Sequence, residues 1–263
     1  TTFGSLIQPC LDEQNIAFAR RVIEAKDLGG QLFLRETHGK VLRVLEQAEM
    51  LCQRYHVVVA NPPYMGGRKL NPSLALFLED GFADYKADLF AAFVIRSRRL
   101  ALMSGHLGFM TPFTWMFISS YEAFRKTVLL DSHITTLIQL EYSGFEGATV
   151  PICTYTLSNK SAPTAKGVFI SLTKFVGPEK QDPNALRAIA NPSCGWSYLA
   201  SSEELARIPS SPIAYWATPH CRRLFAESVP LGSCCDPRQG SATRDNNRFL
   251  RASPEGATNN VGC

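Results

Sequence analysis

The sequence predicts an α/β fold built on a mainly parallel sheet and followed by an irregular α+β segment. The first observation is the run Tyr55–Ala60, whose β-branched residues lack polar alternation and predict a strand buried on both faces. The second is the alternation of helical and extended apolar patterns from residue 32 to residue 157. The third is that ten of the sixteen prolines fall in residues 161–263, where we expect no long regular helix.

Length and composition describe a globular chain. Its 263 residues can bury a core, 45% of them are hydrophobic, and no apolar run reaches the length of a membrane span. The net charge of +4 permits a nucleic-acid partner without indicating one. The eight cysteines show no C-x-x-C and no spacing of paired zinc ligands, so we expect a reduced cytoplasmic protein without a bound metal.

Two helices are predicted before the strand at residue 55. Residues 12–28 carry apolar side chains at helical spacing, and Gly29-Gly30 should end this helix. A second helical pattern, over residues 41–52, should cross the sheet and lead into the strand. Residues 2–7 are apolar enough to form the end of a further strand.

The elements after the strand continue the alternation. Asp88 predicts the N-cap of a helix that ends near Gly105. Ser119 with Glu122 predicts a capping box for a helix that ends near Leu130. The remaining predicted strands span residues 106–112, 134–140, 149–157 and 167–176.

The turn Asn61-Pro62-Pro63-Tyr64 follows the strand at residue 55 and is the main candidate for chemistry. Pro62 keeps Asn61 extended, and both prolines fix their own φ, so the turn is stiff. Neither proline has an N–H, so this backbone offers carbonyl oxygens without competing donors. Ligands bind at the carboxyl ends of strands in open α/β sheets, which places these groups at a ligand site. An ordinary strand-to-turn junction is the alternative.

These groups suit a reaction at an amino group conjugated to a ring, whose delocalised lone pair makes it a poor nucleophile. If Asn61 Oδ1 and the Pro62 carbonyl each accept one N–H, the nitrogen moves toward tetrahedral geometry and its lone pair points at an incoming methyl group. This is positioning with electrostatic stabilisation, and it requires no strong base. Tyr64 can stack on the planar base, which must first leave its duplex.

Asn-Pro-Pro-Tyr after an apolar strand resembles the signature of amino-methyltransferases that use S-adenosylmethionine, notably the DNA adenine-N6 enzymes. The longer sequence VVVANPPYMGG, followed by KADLFAAFVIRS and LGFMTPFTWMF, resembles the PglX-type adenine methyltransferases of bacterial BREX phage-defence systems. The resemblance covers residues 1–251. It implies the second half of a Rossmann-like S-adenosylmethionine-dependent methyltransferase sheet, with double-stranded DNA and other defence-system proteins as partners.

The resemblance also implies contacts with the cofactor and the base. Gly4 and Ser5 match a strand of the family and, with Asn61 and Pro62, should bind S-adenosylmethionine. Phe145, in the turn between two strands, should contact the face of the base opposite to the tyrosine. A phenylalanine that fills the core of the hairpin is the alternative for this last position.

Three groups of residues are implied as DNA contacts or shape elements. Residues Met65–Lys69 should form a flexible basic loop in which Arg68 and Lys69 touch a phosphate or cover the substrate, with a solvated loop as the alternative. Ser211 and Arg244 stand where the family usually has glycine, so a positive φ there would strain the loop. Base edges or phosphates should be contacted by Asn246, Asn247 and Arg248, with an Asx-rich turn as the alternative.

The predicted organisation has three parts. Residues 1–160 form a partial methyltransferase catalytic domain, residues 161–251 a linker and the start of a DNA-recognition region, and residues 252–263 a disordered tail. The family's glycine-rich cofactor loop and its acidic residue should precede residue 1. We therefore expect a fragment that carries the catalytic turn, lacks most of the cofactor floor and exposes an unpaired sheet edge.

Two other functions share part of this pattern. N5-glutamine protein methyltransferases also carry Asn-Pro-Pro-Tyr, because an amide nitrogen poses the same chemical problem. They are compact, however, and lack a long region after the catalytic domain. A DNA-binding fragment without catalysis is the third possibility, since the cofactor loop is expected to lie outside this sequence.

Overall fold

The computed structural model describes residues 3–27, 29, 32–142, 144 and 150–236. They fall into two units, Thr1–Ala226 and Glu227–Cys263. The helices, in chain order, are α1 (Glu13–Glu24), α2 (Leu32–Cys52), α3 (Pro72–Gly81), α4 (Leu89–Leu100), α5 (Glu122–Asp131), α6 (Pro178–Ala190), α7 (Ser202–Ala206), α8 (Pro219–Glu227) and α9 (Leu231–Cys234).

A six-stranded mixed sheet forms the centre of the first unit, which confirms the α/β prediction. Its strands are β1 (Tyr55–Ala60), β2 (Ala101–Pro112), β3 (His133–Gln139), β4 (Ile152–Ser158), β5 (Lys166–Ser171) and β6 (Ser197–Ser201). Their order across the sheet is β1-β2-β4-β3-β5-β6. The pairs β1–β2 and β3–β5 are parallel, whereas β2–β4, β3–β4 and β5–β6 are antiparallel, so the expectation of a mainly parallel sheet is wrong.

Strand β1 lies at the edge of this sheet, so the prediction of a strand buried on both faces is wrong. Val58 and Ala60 pack against the core, but Val57 is 59% exposed and Val59 is 75% exposed. Among the described residues, β1 pairs with β2 on one side only. The unpaired edge that the family resemblance implied is therefore present.

Helix α4 packs against this part of the sheet. It contacts both β1 and β2, and all its residues from Leu89 to Ser97 except Phe93 are buried. Asp88 caps its first turn as predicted, because the carboxylate accepts from Phe90 N at 3.3 Å. The helix therefore positions the loop that precedes it against the ends of both strands.

Helix α4 ends at Leu100, earlier than the predicted end near Gly105, and β2 begins at Ala101. The cause is Asn159, whose side-chain amide donates to the carbonyls of Arg98, Ala101 and Leu102. Free carbonyls at a helix end need such donors, and here a distant residue supplies them.

The amino-terminal segment is a single 3₁₀ turn, Gly4–Leu6, so the prediction of a strand over residues 2–7 is wrong. Arg96 of α4, only 3% exposed, holds this turn in place. Its guanidinium donates to Ser5 O at 3.2 Å, to Ile7 O at 2.9 Å and to Leu51 O at 2.9 Å. One buried cation thus joins three chain segments through backbone carbonyls.

The predicted capping box at Ser119 and Glu122 is also wrong. Residues Ser119–Tyr121 form a 3₁₀ turn, α5 begins at Glu122, and the described structure shows no side-chain cap there. The Glu122 carboxylate instead pairs with Lys126 at 2.7 Å, one turn along the same helix. An i, i+4 ion pair has replaced the expected cap.

Sequence analysis missed regular elements on both sides of residue 160. Helix α3 begins at Pro72 and is capped by Asn71, whose side chain accepts from Leu74 N at 2.9 Å. Helix α6 has 13 residues and contains both Pro178 and Pro183, against the expectation of no long helix. Strand β5 agrees with the strand predicted over residues 167–176, whereas β6 was not predicted. Both extend the same sheet past residue 160, and the division of function at that boundary stays a prediction.

Candidate active site at the end of strand β1

The turn Asn61-Pro62-Pro63-Tyr64 lies where β1 ends, at the carboxyl edge shared with β2. Ala60 pairs with Phe109 in the parallel register, so the two strands reach this edge together. Asn61 is exposed and Pro62 is buried, so the carboxamide is accessible while the backbone behind it is held. This is the placement that a ligand site in an open α/β sheet requires.

Tyr64 connects the turn to the neighbouring strand. Its hydroxyl donates to Asn61 Oδ1 at 2.8 Å and lies 3.1 Å from the carbonyl oxygen of Met110 in β2. The ring is half-buried, and burial raises the pKa of the Tyr64 phenol above its ordinary value. The phenol therefore stays protonated and acts as a hydrogen-bond donor throughout the neutral range.

The segment after the turn is tied down, so the prediction of a flexible loop is wrong. Met65 N donates to Asp88 Oδ1 at 2.9 Å, and Leu89 N donates to Met65 O at 3.1 Å. Gly66 and Asp88 form an isolated antiparallel bridge. Two chain segments are thus paired directly beside the candidate catalytic turn.

The predicted DNA contacts in this segment lie on a short 3₁₀ turn, Gly67–Lys69. Lys69 is exposed, which agrees with a contact to a phosphate or with a solvated side chain. The side chain of Arg68 lies outside the described part of the chain. The roles of both residues stay predictions.

Asp88 is a residue of this site that sequence analysis saw only as a helix cap. The burial of its carboxyl raises the pKa of Asp88, and hydrogen bonds from the backbone N–H groups of Met65, Phe90 and Leu89 oppose that rise. The contact to Met65 joins residues 23 positions apart. Local sequence patterns carry no signal for such a contact, so only the structure shows it.

A cleft of about 1020 Å³ opens at Met110 of β2, and its wall does not include residues 61–64. Met110, whose carbonyl lies next to Tyr64, is one of its lining residues. The rest of the wall comes from β3 and β4, from the residue that follows β5 and from α6, including Ile138, Leu140, Thr154, Leu172, Glu179 and Asp182. Its size admits a planar ring at the carboxyl edge of the sheet.

The residues predicted to bind the cofactor are not gathered in one place. Gly4 and Ser5 line a separate cleft of about 290 Å³ with Ile7, Gln47, Met50 and Leu51, whereas Asn61 and Pro62 are not part of its wall. None of these described lining residues is a carboxylate that could hold a ribose. This cleft alone therefore does not provide a site for S-adenosylmethionine, and the roles of Gly4 and Ser5 stay predictions.

Several predicted residues lie outside the described part of the chain. They are Phe145, Arg244, Asn246, Asn247 and Arg248. Ser211 is described, and its φ of 49° is positive, as is the φ of 63° at Ser210. The expectation of a strained loop at Ser211 is confirmed.

The described part of the chain contains neither a metal-binding cluster of side chains nor a membrane-spanning helix. Within residues 3–27, 29, 32–142, 144 and 150–236, no group of three or more His, Cys, Asp or Glu side chains is arranged to hold a metal ion. Across those same ranges, no helix combines the length and the apolar character needed to cross a membrane.

Comparison with known proteins identifies relatives of the chain. Residues 24–145 match the Eco57I restriction-modification methylase family. The chain is 34% identical over 237 residues to the adenine-specific methyltransferase BrxX of Escherichia coli O9:H4 (strain HS), covering 88% of the chain and 19% of that relative. It is 30% identical over 234 residues to the adenine-specific methyltransferase PglX of Lacticaseibacillus casei (strain Zhang), covering 87% and 19%.

Among solved structures, the chain is similar to the methyltransferase subunit of a type I restriction-modification system from Streptococcus thermophilus. The TM-score is 0.48 at 18% identity, over 73% of this chain and 40% of that one. A likeness at this level says nothing about the reaction. The chain spans 19% of the length of both curated relatives, and the resemblance to PglX-type enzymes is confirmed. Residues 24–145 thus match an Eco57I-type restriction-modification methylase domain, and the chain is a homologue of the adenine-specific methyltransferases BrxX and PglX.

Proposed function

We propose that this chain carries the catalytic turn of a DNA adenine-N6 methyltransferase. The polypeptide transfers a methyl group from S-adenosylmethionine to a flipped adenine in double-stranded DNA, in the cytoplasm of a bacterium with a BREX-type phage-defence system. The observation that carries the proposal is the exposed carboxamide of Asn61 at the carboxyl end of β1, followed by Pro62-Pro63-Tyr64. The homology to adenine-specific methyltransferases supports it.

The turn acts on the acceptor side of this reaction. Asn61 Oδ1 has two lone-pair sites, of which the Tyr64 hydroxyl occupies one, so one site is free for an N–H of the substrate amine. The Pro62 carbonyl is the proposed acceptor for the second N–H. Together they orient the amine's lone pair away from its ring. Removing one pre-positioned hydrogen-bonding group of this kind typically costs about 100- to 1000-fold in kcat.

S-adenosylmethionine supplies an electrophilic methyl group when it is bound. The proposal assigns no step to Gly4 and Ser5, because their cleft offers no carboxylate and does not include Asn61. The use of this cofactor is inferred from the methylase family that residues 24–145 match.

The remaining predicted residues are assigned to DNA in this proposal. Phe145 contacts the flipped base from the side opposite to Tyr64, and Arg68 and Lys69 contact the phosphate backbone near the turn. Residues 161–251 lead into a DNA-recognition region, in which Asn246, Asn247 and Arg248 contact bases or phosphates. Other proteins of the defence system are further partners.

The test is the change Asn61→Ala in the polypeptide that carries this chain, expressed in a host whose N6-methyladenine is mapped genome-wide. We expect methylation at the recognition site to fall at least about 100-fold, because the amine loses one of its two acceptors. Asn15→Ala, which changes an exposed asparagine on α1, is the matched control and should leave methylation unchanged. Methylation that persists in the Asn61→Ala variant contradicts the proposal, and methylation of a protein glutamine would favour the N5-glutamine alternative.

A further inference from the structure

We propose that the hydroxyl group of Tyr64 is a positioning group that holds the Asn61 carboxamide in place for the substrate amine. This role is separate from stacking of the tyrosine ring on a base. Its consequence for catalysis rests on the proposed function, whereas its effect on Asn61 does not.

The contacts define a short chain of polar groups across the site. Tyr64 Oη lies 2.8 Å from Asn61 Oδ1 and 3.1 Å from Met110 O. Met110 O belongs to β2, which pairs with β1 and with β4, so this carbonyl is a fixed point of the sheet. The phenol has one proton for these two acceptors and donates it at the shorter distance to Asn61 Oδ1, while the packed ring fixes where the hydroxyl lies relative to β2.

An exposed asparagine needs such a restraint. Asn61 is exposed, so its carboxamide would otherwise rotate and hydrogen-bond to water. The groups around it are fixed, because Pro62 is buried and the Tyr64 ring packs against the core. Holding an acceptor in position before the substrate arrives removes an ordering cost from the reaction step.

The Tyr64 hydroxyl also limits how many further hydrogen bonds Asn61 Oδ1 can accept. An amide oxygen has two acceptor sites, and the hydroxyl fills one of them. One site remains, which matches a single N–H from the amine while the other N–H goes to the Pro62 carbonyl. The arrangement is therefore matched to an amino group with two hydrogens.

Tyr64→Phe isolates this role, because phenylalanine keeps the ring and loses only the hydroxyl. Tyr85→Phe is the matched control, since it removes a hydroxyl that hydrogen-bonds to Thr127 Oγ1 at 3.0 Å, away from the turn. Thermal unfolding of both variants checks that each one remains folded.

The first readout is the side-chain amide signal of Asn61 in a ¹⁵N–¹H spectrum of the 263-residue chain. In Tyr64→Phe we expect the two Asn61 Nδ2 proton signals to move toward the values of a freely rotating amide in water. In Tyr85→Phe they should keep their wild-type positions. Asn61 signals that stay unchanged in Tyr64→Phe overturn the inference.

The second readout is steady-state methylation by the polypeptide that carries this chain. We expect Tyr64→Phe to lower kcat by about three- to tenfold, the effect of one ordinary hydrogen bond, with KM for DNA unchanged. A purely structural role would instead leave kcat per folded molecule as it is. Tyr85→Phe should match the wild type in both parameters.

The outcomes separate the two proposals. A wild-type polypeptide without DNA methylation contradicts the proposed function, and the Asn61 signals then decide the present inference alone. An active wild type with Tyr64→Phe within twofold of its kcat overturns the inference and leaves the proposed function standing.

Discussion

At the scale of single residues, Ser210 and Ser211 hold backbone conformations that side chains seldom adopt. Their φ values are 63° and 49°, and the left-handed region costs a non-glycine residue roughly 1–2 kcal/mol. Arg125, fully buried, offsets this strain by donating to Ser210 O from Nε at 3.2 Å and from Nη2 at 2.9 Å. The same guanidinium also donates to the carbonyls of Trp115 and Ile118, so it fixes two loops at once.

Ser211→Gly should therefore raise the free energy of unfolding by about 0.5 kcal/mol, because relief of strain slightly exceeds the added entropy of the unfolded chain. Urea unfolding followed by circular dichroism measures the change. Ser97→Gly is the control, since Ser97 is equally buried but sits inside α4, where glycine costs about 0.5–1 kcal/mol. Equal destabilisation by both changes would show that residue 211 is not strained.

At the same scale, the sequence predicts the Asn61–Tyr64 turn but not the contacts that hold this turn in place. The stiffness of Asn61-Pro62-Pro63-Tyr64 follows from proline geometry, which is local and visible in any sequence. The contact between the Tyr64 hydroxyl and the Met110 carbonyl joins residues 46 positions apart, and it depends on which strand lies beside β1. Such a partner is fixed by the pairing of strands, which local patterns do not encode.

At the scale of elements, Asp88 joins the start of α4 to the segment after the candidate catalytic turn. It is half-buried, and burial raises the pKa of its carboxyl above the ordinary value. A carboxyl with a raised pKa in the folded state binds a proton there more readily than in the unfolded chain. Its contribution to stability is therefore fully present below the ordinary carboxyl pKa and is lost as the pH rises through the raised value.

Asp88→Asn should keep the helix cap and remove this dependence on pH. At neutral pH we expect the variant to be at least as stable as the wild type, and its advantage should shrink as the pH falls through the raised pKa of Asp88 toward the ordinary carboxyl value. Asp88→Ala should lose about 1–2 kcal/mol at either pH, because both helix α4 and Met65 N lose an acceptor. Urea titrations at several pH values measure all three proteins, and a constant difference between Asp88→Asn and wild type would contradict the assigned pKa.

Element boundaries show which local signals were reliable. The N-cap at Asp88 was predictable, since a cap and the turn that it closes are neighbours in sequence. The end of α4 was not, because its last carbonyls are satisfied by Asn159, about sixty residues away. Prolines were misleading in α6, where Pro178 occupies the first turn and costs the helix no hydrogen bond.

At the scale of the whole molecule, the alternation of helices and strands was enough to predict the α/β class. It did not predict the order of strands, in which β4 lies between β2 and β3. That insertion depends on an antiparallel register running from Ile134 to Gln139 along β3 and along most of β2. Contacts between distant segments decide such an arrangement, and pattern analysis of single segments cannot rank the alternatives.

Among the described residues β1 has a neighbouring strand on one side only, and we expect this open edge to promote self-association of the chain at high concentration. The backbone N–H and C=O groups on the outer side of β1 can pair with a strand of another copy. The exposed side chains of Val57 and Val59 add an apolar surface that favours this association. Val57→Lys should lower self-association in sedimentation velocity runs, whereas Val176→Lys, at a valine 63% exposed outside any strand, should not. If both variants associate as the wild type does, the edge is not the contact. Where the edge is the contact, the lysine variant is the colloidally stable form of this chain.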